Sequence, residues 1–283
     1  MKIAVLSGKG GTGKTLVSVN LAYVGANSYT DCDVEAPNGY LYFEQNKIDV
    51  LNVNVKKPVF DNDKCVGCRK CVEFCKFNAL AFVNKKVKLF DDICHSCEGC
   101  KIVCDYDAIS MTDNSIGNIE KGMFENIIIQ SGILNIGSPS GSPIIKELMK
   151  SIPNEGIHII DGPPGTACTS METIRESDYC VVVAEPTSFG YSNYLMIEEL
   201  LHELKTEFGV VINKWIDDES SIMKHLEDNS IDLLGIIPFD KDIVNINSNS
   251  GIIAKESKEY NEVFKNILDT ILEKVKNETT ISS

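Results

Sequence analysis

The eight residues Gly8-Lys9-Gly10-Gly11-Thr12-Gly13-Lys14-Thr15, set between an apolar run at residues 2–7 and an amphipathic run at residues 14–26, leave this chain few ways to begin. Glycines let successive backbone N–H groups turn towards a single anion, and the spacing G-x4-G-K-T is that of a Walker A loop. Val17, Leu21 and Val24 follow at helical spacing, so the segment reads as strand, loop, helix. A helix starting there aims its free N–H groups and the positive end of its dipole at the anion. In such a loop Gly8 to Gly13 cradle phosphates, Lys14 neutralises the outer two and Thr15 holds Mg2+. A glycine turn matching by chance is the competing reading, and the flanking strand and helix count against it.

Short apolar runs of strand length recur downstream, at 126–129, 133–136, 157–161, 179–184, 210–213 and 233–237. Amphipathic stretches at 190–205, 219–229 and 256–276 separate or follow the later ones. Strands alternating with helices predict an α/β fold, a doubly wound and mostly parallel sheet covered on both faces. A length of 283 residues fits one large domain with a smaller module, and 43% hydrophobic with 24% charged residues suits a packed globule.

The pattern breaks from about Lys56 to Thr112, where lysines and acids interleave with cysteines. We read residues 56–112 as an inserted domain, and 1–55 with 113–283 as a discontinuous nucleotide-binding domain. Eight of the 11 cysteines form two runs there, Cys65, Cys68, Cys71 and Cys75, then Cys94, Cys97, Cys100 and Cys104, both spaced C-x2-C-x2-C-x3-C. Each run leads into a similar tail, Asn78-Ala79-Leu80 and Asp107-Ala108-Ile109, as in a duplicated unit. The spacing matches that of bacterial dicluster ferredoxins, in which the fourth cysteine serves the other cluster. That likeness implies Cys65, Cys68, Cys71 and Cys104 around one [4Fe-4S] cluster, with Cys94, Cys97, Cys100 and Cys75 around a second. Zinc is the competing ligand, although zinc sites normally set two C-x2-C pairs apart. The proline that usually follows the fourth cysteine is replaced by Lys76 and Asp105.

Lys9 narrows the nucleotide reading. The loop K-G-G-T-G-K-T resembles the deviant Walker A of the MinD and nitrogenase-iron-protein class of ATPases, in which the first lysine reaches across a dimer to the partner's nucleotide. Two further segments resemble that class: Asp31-Cys32-Asp33-Val34-Glu35-Ala36-Pro37-Asn38, like its first switch, and Asp161-Gly162-Pro163-Pro164-Gly165, like its Walker B and second switch. The resemblance implies that Asp33 orients the attacking water and that Asp161 holds a water of Mg2+; ordinary turn carboxylates are the alternative. Residues 27–30 ahead of Asp33 are polar and short for a buried strand. Asn213 resembles the adenine-recognising asparagine of the class, against a structural cap as the alternative. The chain as a whole resembles MinD-superfamily P-loop ATPases with an inserted ferredoxin domain.

This resemblance implies ATP, Mg2+ and two [4Fe-4S] clusters as cofactors, with a homodimer or a heterodimer with a related ATPase as the working form. An ATPase that couples nucleotide-driven movement to electron transfer is the leading expectation. An assembly carrier for iron-sulfur or other metal cofactors, and a redox-sensing MinD-like switch, are the alternatives. The partner is then a redox protein or an apo-protein of unknown identity. A formal net charge of −14 argues against nucleic acid, and clustered thiols point to a reducing, cytoplasmic setting. No run of 18 apolar residues occurs, and the N-terminal apolar stretch is short for a signal peptide. Cys168 is expected to be a packed small residue or, alternatively, a bridging ligand, with Cys32 and Cys180 as buried apolar positions.

Overall fold

The computed structural model describes residues 1–216 and 221–281. The chain begins with β1 (Lys2–Leu6), α1 (Lys14–Gly25) and β2 (Ser28–Asp31), and a short 3-10 turn at Gly39–Tyr42 leads to β3 (Asn46–Phe60). The cysteine segment follows, with α2 (Lys70–Phe74), a hairpin of β4 (Leu80–Val83) and β5 (Lys86–Leu89), and α3 (Gly99–Ile102). The chain returns in β6 (Ile109–Phe124) and β7 (Ile127–Leu134), then alternates through α4 (Ser142–Ser151), β8 (His158–Asp161), α5 (Cys168–Arg175), β9 (Tyr179–Ala184) and α6 (Ser188–Leu204). It closes with β10 (Phe208–Trp215), α7 (Ser221–Asp228), β11 (Leu233–Pro238), α8 (Lys241–Ser248), α9 (Ile253–Glu256) and α10 (Lys258–Ile281).

Nine strands form one sheet in the order β11-β10-β9-β1-β8-β2-β7-β6-β3. From β11 to β7 every neighbouring pair is parallel; β6 runs antiparallel to both β7 and β3. The two-residue period of a strand sorts its side chains between faces. Ile3 and Val5 of β1 join Val181 and Val183 of β9 in one core, under α1 and α10, while Ala4, Leu6, Cys180, Val182 and Ala184 enter another beneath α6. The expected doubly wound, mostly parallel sheet is therefore present. The stripe Phe264, Ile267, Leu268 and Ile271 of α10 is buried against the sheet, its role being to cover a core face.

Three differences from the sequence reading have physical causes. The expected separate strands at 126–129 and 133–136 are one strand, β7, because Ser131 and Gly132 continue the pairing with β6; Ile136 lies beyond it, fully exposed. Residues 28–31 form a wholly buried central strand despite their polarity. Most of its side chains have partners: Ser28 Oγ lies 2.8 Å from His158 Nδ1, Tyr29 donates to Asp161 and Asp31 accepts backbone N–H groups, while Thr30 Oγ1 is buried without one among the described residues. The long strand β3 was not expected, and of β6 only a short β-like segment at Ser110–Met111 was. They pair from Asn46↔Met123 to Phe60↔Ile109, so the ribbon runs across positions 55/56 and 112/113 without a break. The part of the helical stretch 219–229 that lies before Ser221 falls outside the described residues.

Candidate functional site

The loop between β1 and α1 needs its glycines at two places in particular. Gly11 and Gly13 have φ of 83° and 93°, a region that side chains disfavour, and a Cβ on Gly13 would sit 2.0 Å from Asn213 Nδ2. Gly8 is pressed against the backbone of Asn193, where a Cβ would lie 2.2 Å from a carbonyl oxygen. Thr12 Oγ1 closes the loop by donating to the Lys9 carbonyl. Gly10, Gly11, Gly13, Lys14, Thr15 and Asp33 line one cavity of about 310 Å3, together with Asn38, Tyr42, Pro164 and Asn247.

Behind the cavity stands a buried charge cluster. Lys14 Nζ donates to Asp161 Oδ1 at 2.5 Å, and Tyr29 OH donates to the other oxygen at 3.0 Å. Asp31 Oδ2 accepts the backbone N–H groups of Asn38 and Gly39, and its Oδ1 accepts that of Asp33. Burial works against the Lys14 ammonium, but Asp161 and then Asp31 and Asp33 more than offset it and raise its pKa. Burial, followed by the neighbouring Asp161 charge, pushes Asp31 up to about 7. Three carboxylates around one lysine make a site with an excess of negative charge, suited to a hard divalent cation. Sequence reasoning singled out neither Tyr29 nor Asp31; an acid at the end of a strand that lies beside β8 was the available signal.

Lys9 does not enter this cavity. Its Nζ lies 2.8 Å from Glu185 Oε2 and over the Phe189 ring. Glu185 also holds Lys214 at 2.6 Å, and Lys214 donates to the Gly11 carbonyl. Burial opposes the Glu185 carboxylate, yet the hydrogen bonds from Lys214 and Lys9 outweigh it and lower its pKa. Asn213 is buried and gives its amide to the Thr12 carbonyl at 2.7 Å, bracing the loop from β10.

The cysteine segment repeats in its backbone as well as its sequence. Left-handed residues fall at matched places: Gly67 and Ser96 before the second cysteine, Arg69 and Glu98 after it, and Asn78 and Asp107 three residues past the fourth. Non-glycine residues held there cost of order 1–3 kcal/mol each, so the surroundings must enforce them. The two halves are strand, cysteine run, strand, with β3 paired to β6 and β4 to β5. One cavity is lined by Cys65, Cys68, Cys71 and Cys104, and a second by Cys75, Cys94, Cys97 and Cys100. All these thiols are free, and burial pushes Cys100 up to about 11. Among the described residues, no three His, Cys, Asp or Glu side chains converge as a single metal ion requires. Cys32 and Cys180 are buried; Cys168 is exposed at the start of α5, which corrects the expectation of a packed residue. Among the described residues no helix is long and apolar enough to cross a membrane.

A family model described as the CobQ/CobB/MinD/ParA nucleotide binding domain matches residues 3–253. An uncharacterized protein of Methanocaldococcus jannaschii is 31% identical over 279 residues, covering 96% of this chain and 97% of the relative. A second from the same organism is 31% identical over 251 residues, covering 86% and 88%. Among solved structures, the cell division ATPase MinD of Pyrococcus furiosus superposes with a TM-score of 0.60 at 20% identity, covering 96% of this chain and 98% of that one. The septum site-determining protein MinD of Pyrococcus horikoshii, complexed with Mg-ADP, gives 0.58 at 18%, with 95% of each chain covered.

Proposed function

The chain belongs to the CobQ/CobB/MinD/ParA nucleotide-binding family, and from that premise we propose that it is an ATP-hydrolysing iron-sulfur protein, whose nucleotide cycle gates electron transfer through two [4Fe-4S] clusters. The observation that carries this reading is the sorting of eight thiols into two cavities, three from one run and the fourth from the other. That grouping matches the crossed ligand set expected of a dicluster ferredoxin, and thiols spread round a cavity suit a polynuclear group. The segment's core supports it further. Its buried cluster is Cys71, Leu80 and Ile109, with Ala79, Cys94 and Ala108 buried nearby, and a module with so small a core generally needs a metal or covalent staple. When bound, the clusters supply one-electron redox chemistry; the chain supplies thiolates, shielding and a lever.

In the nucleotide site, backbone N–H groups of Gly10 to Lys14 would hold phosphates, while Thr15 and Asp161 would hold Mg2+ directly and through water. Lys14 then has two possible partners. Without nucleotide it neutralises Asp161; with nucleotide its ammonium turns to the terminal phosphates and leaves Asp161 to the cation. Asp33, on the cavity wall, orients the attacking water. Lys9 swings from Glu185 to the nucleotide of a second protomer, which makes the working form a dimer.

The lever is the segment between Asp31 and β3. Asp31 grips the backbone at Asn38 and Gly39, and Tyr42 OH donates to Asn247 on the far side of the cavity at 2.8 Å. From Asn46 the chain is continuous strand to Phe60, five residues before Cys65. Loss of the γ-phosphate that repositions Asp33 therefore pulls on the ribbon carrying both cavities. A coupling of about 1–3 kcal/mol, usual between linked sites, spans a one-electron shift of roughly 100 mV.

Anaerobic purification with iron and sulfide counting, followed by redox titration with and without ATP, tests the reading. About eight irons per chain and a midpoint that moves with ATP are expected. Absence of iron in anaerobically purified protein rejects it. Iron that passes to an apo-protein, with a midpoint indifferent to ATP, favours the assembly carrier.

A further inference from the structure

The charges that line the two cysteine cavities are exposed, Arg69 and Lys70 at the first and Lys76 and Glu98 at the second, but one further cation beside the second is buried. Lys57 lies on β3 eight residues before Cys65, and Lys86 holds the matching place on β5, eight before Cys94. In the paired strands their partners also match, Thr112 for Lys57 and Val83 for Lys86. Their environments do not. Lys86 is exposed, whereas the Lys57 side chain is 6% exposed and folds under the second cysteine run. Its Nζ donates to the carbonyl of Asp91 at 2.7 Å and to that of Cys94 at 3.1 Å, with the Asp91 carboxylate 3.9 Å away. Cys94 and Pro58, the neighbour of Lys57, both line the second cavity. The cations beside the first cavity, Arg69 and Lys70, are exposed, and Lys70 is paired with Asp105. Water and salt screen exposed charges, while a buried ammonium acts through a low dielectric.

We propose that Lys57 is a positioning residue that makes the two cluster sites inequivalent, so that an electron entering the segment settles in the site of Cys75, Cys94, Cys97 and Cys100. The inference rests on the iron-sulfur reading above. Reduction adds one electron, taken from the titrating mediator, and forms or breaks no bond in the protein. The extra negative charge is stabilised by the nearby ammonium, so this site reduces first. Lys57 also fixes the Cys94 carbonyl relative to β3, the strand leading from the nucleotide cavity, which places the favoured site on the moving ribbon.

The test is an EPR-monitored redox titration of the intact, anaerobically purified protein. The wild type is expected to show two midpoints, with the ratio of reduced to oxidised centres differing at least tenfold at a common potential, about 59 mV for one electron. Lys57→Met should lower that ratio about tenfold at the higher-potential centre alone, with iron content unchanged. Lys57→Arg should restore most of it, and Lys86→Met should move neither centre. Coincident wild-type midpoints overturn the inference without any variant, so a Lys57→Met protein too unstable to titrate does not rescue it. Eight irons with both midpoints unmoved by Lys57→Met overturn the inference and leave the iron-sulfur reading standing. A protein without iron overturns both.

Discussion

Lys14 and Asp161 form the most consequential pair in the molecule, because both are buried and each is the other's compensation. Removing one partner of such a pair leaves an uncompensated charge and costs about 3–5 kcal/mol. Lys14→Met is therefore expected to destabilise the nucleotide-free protein by that amount as well as to abolish nucleotide binding. Urea unfolding measures it, and a loss below about 1 kcal/mol would contradict the pairing's role. Asp31 has the opposite character. Its pKa rises from 3.8 to about 7, so between those values the folded state keeps a proton that the unfolded chain has released. The contribution of Asp31 to stability without nucleotide should accordingly be fully present below about pH 4, fall as pH climbs to about 7 and level off above it, with Asp33 adding in the same direction and Glu185, whose pKa is lowered, in the opposite one. Asp31→Asn should flatten that slope in a pH series of thermal melts; an unchanged slope would move the titration elsewhere.

Among the elements, β2 shows how a polar sequence becomes a central strand. Burial of Tyr29 and Asp31 is sustained by Asp161 and by the backbone of Asn38 and Gly39, groups distant in sequence or beyond the strand. Gly39 lies against this arrangement so closely that a Cβ would stand 1.7 Å from Tyr29 OH. Gly39→Ala should displace Tyr29 from Asp161, cost about 1–3 kcal/mol as overpacking does, and weaken nucleotide affinity; calorimetry and nucleotide titration on the purified variant check both. The strands β1, β8, β9 and β10 were legible because they are largely buried and read as continuous apolar runs, and the partly exposed edge strand β11 keeps such a run as well. β3 was not. It is an edge strand whose Ile48, Val50 and Leu51 are exposed, and its asparagines and lysines hide the alternation at Val53 and Val55. Its partner β6 is likewise polar over residues 112–115, where only pairing across the ribbon, Lys57↔Thr112 to Asn54↔Ser115, makes a strand of it.

At the scale of the whole chain, the close of the ribbon at Phe60↔Ile109 predicts a simple dissection. Replacing residues 61–108 by a two-residue Asn-Gly turn should leave a nucleotide-binding protein that carries no iron, since such a turn joins antiparallel strands without altering their register. Nucleotide binding and metal content of that variant are the readouts, and loss of folding would show that the cysteine segment and the sheet are one cooperative unit. Sequence by itself determined the phosphate loop, the two cysteine runs and the alternation of strands and helices, because each is written in local spacing: glycines where backbone must face an anion, thiols at fixed intervals, apolar residues at the period of their element. Tertiary structure alone decided which groups meet. The pairing of Lys14 with Asp161, the capture of Lys9 by Glu185 and the burial of Lys57 but not Lys86 all join residues remote in the chain. Their energies come from desolvation and from distance, and neither quantity exists until the chain has folded.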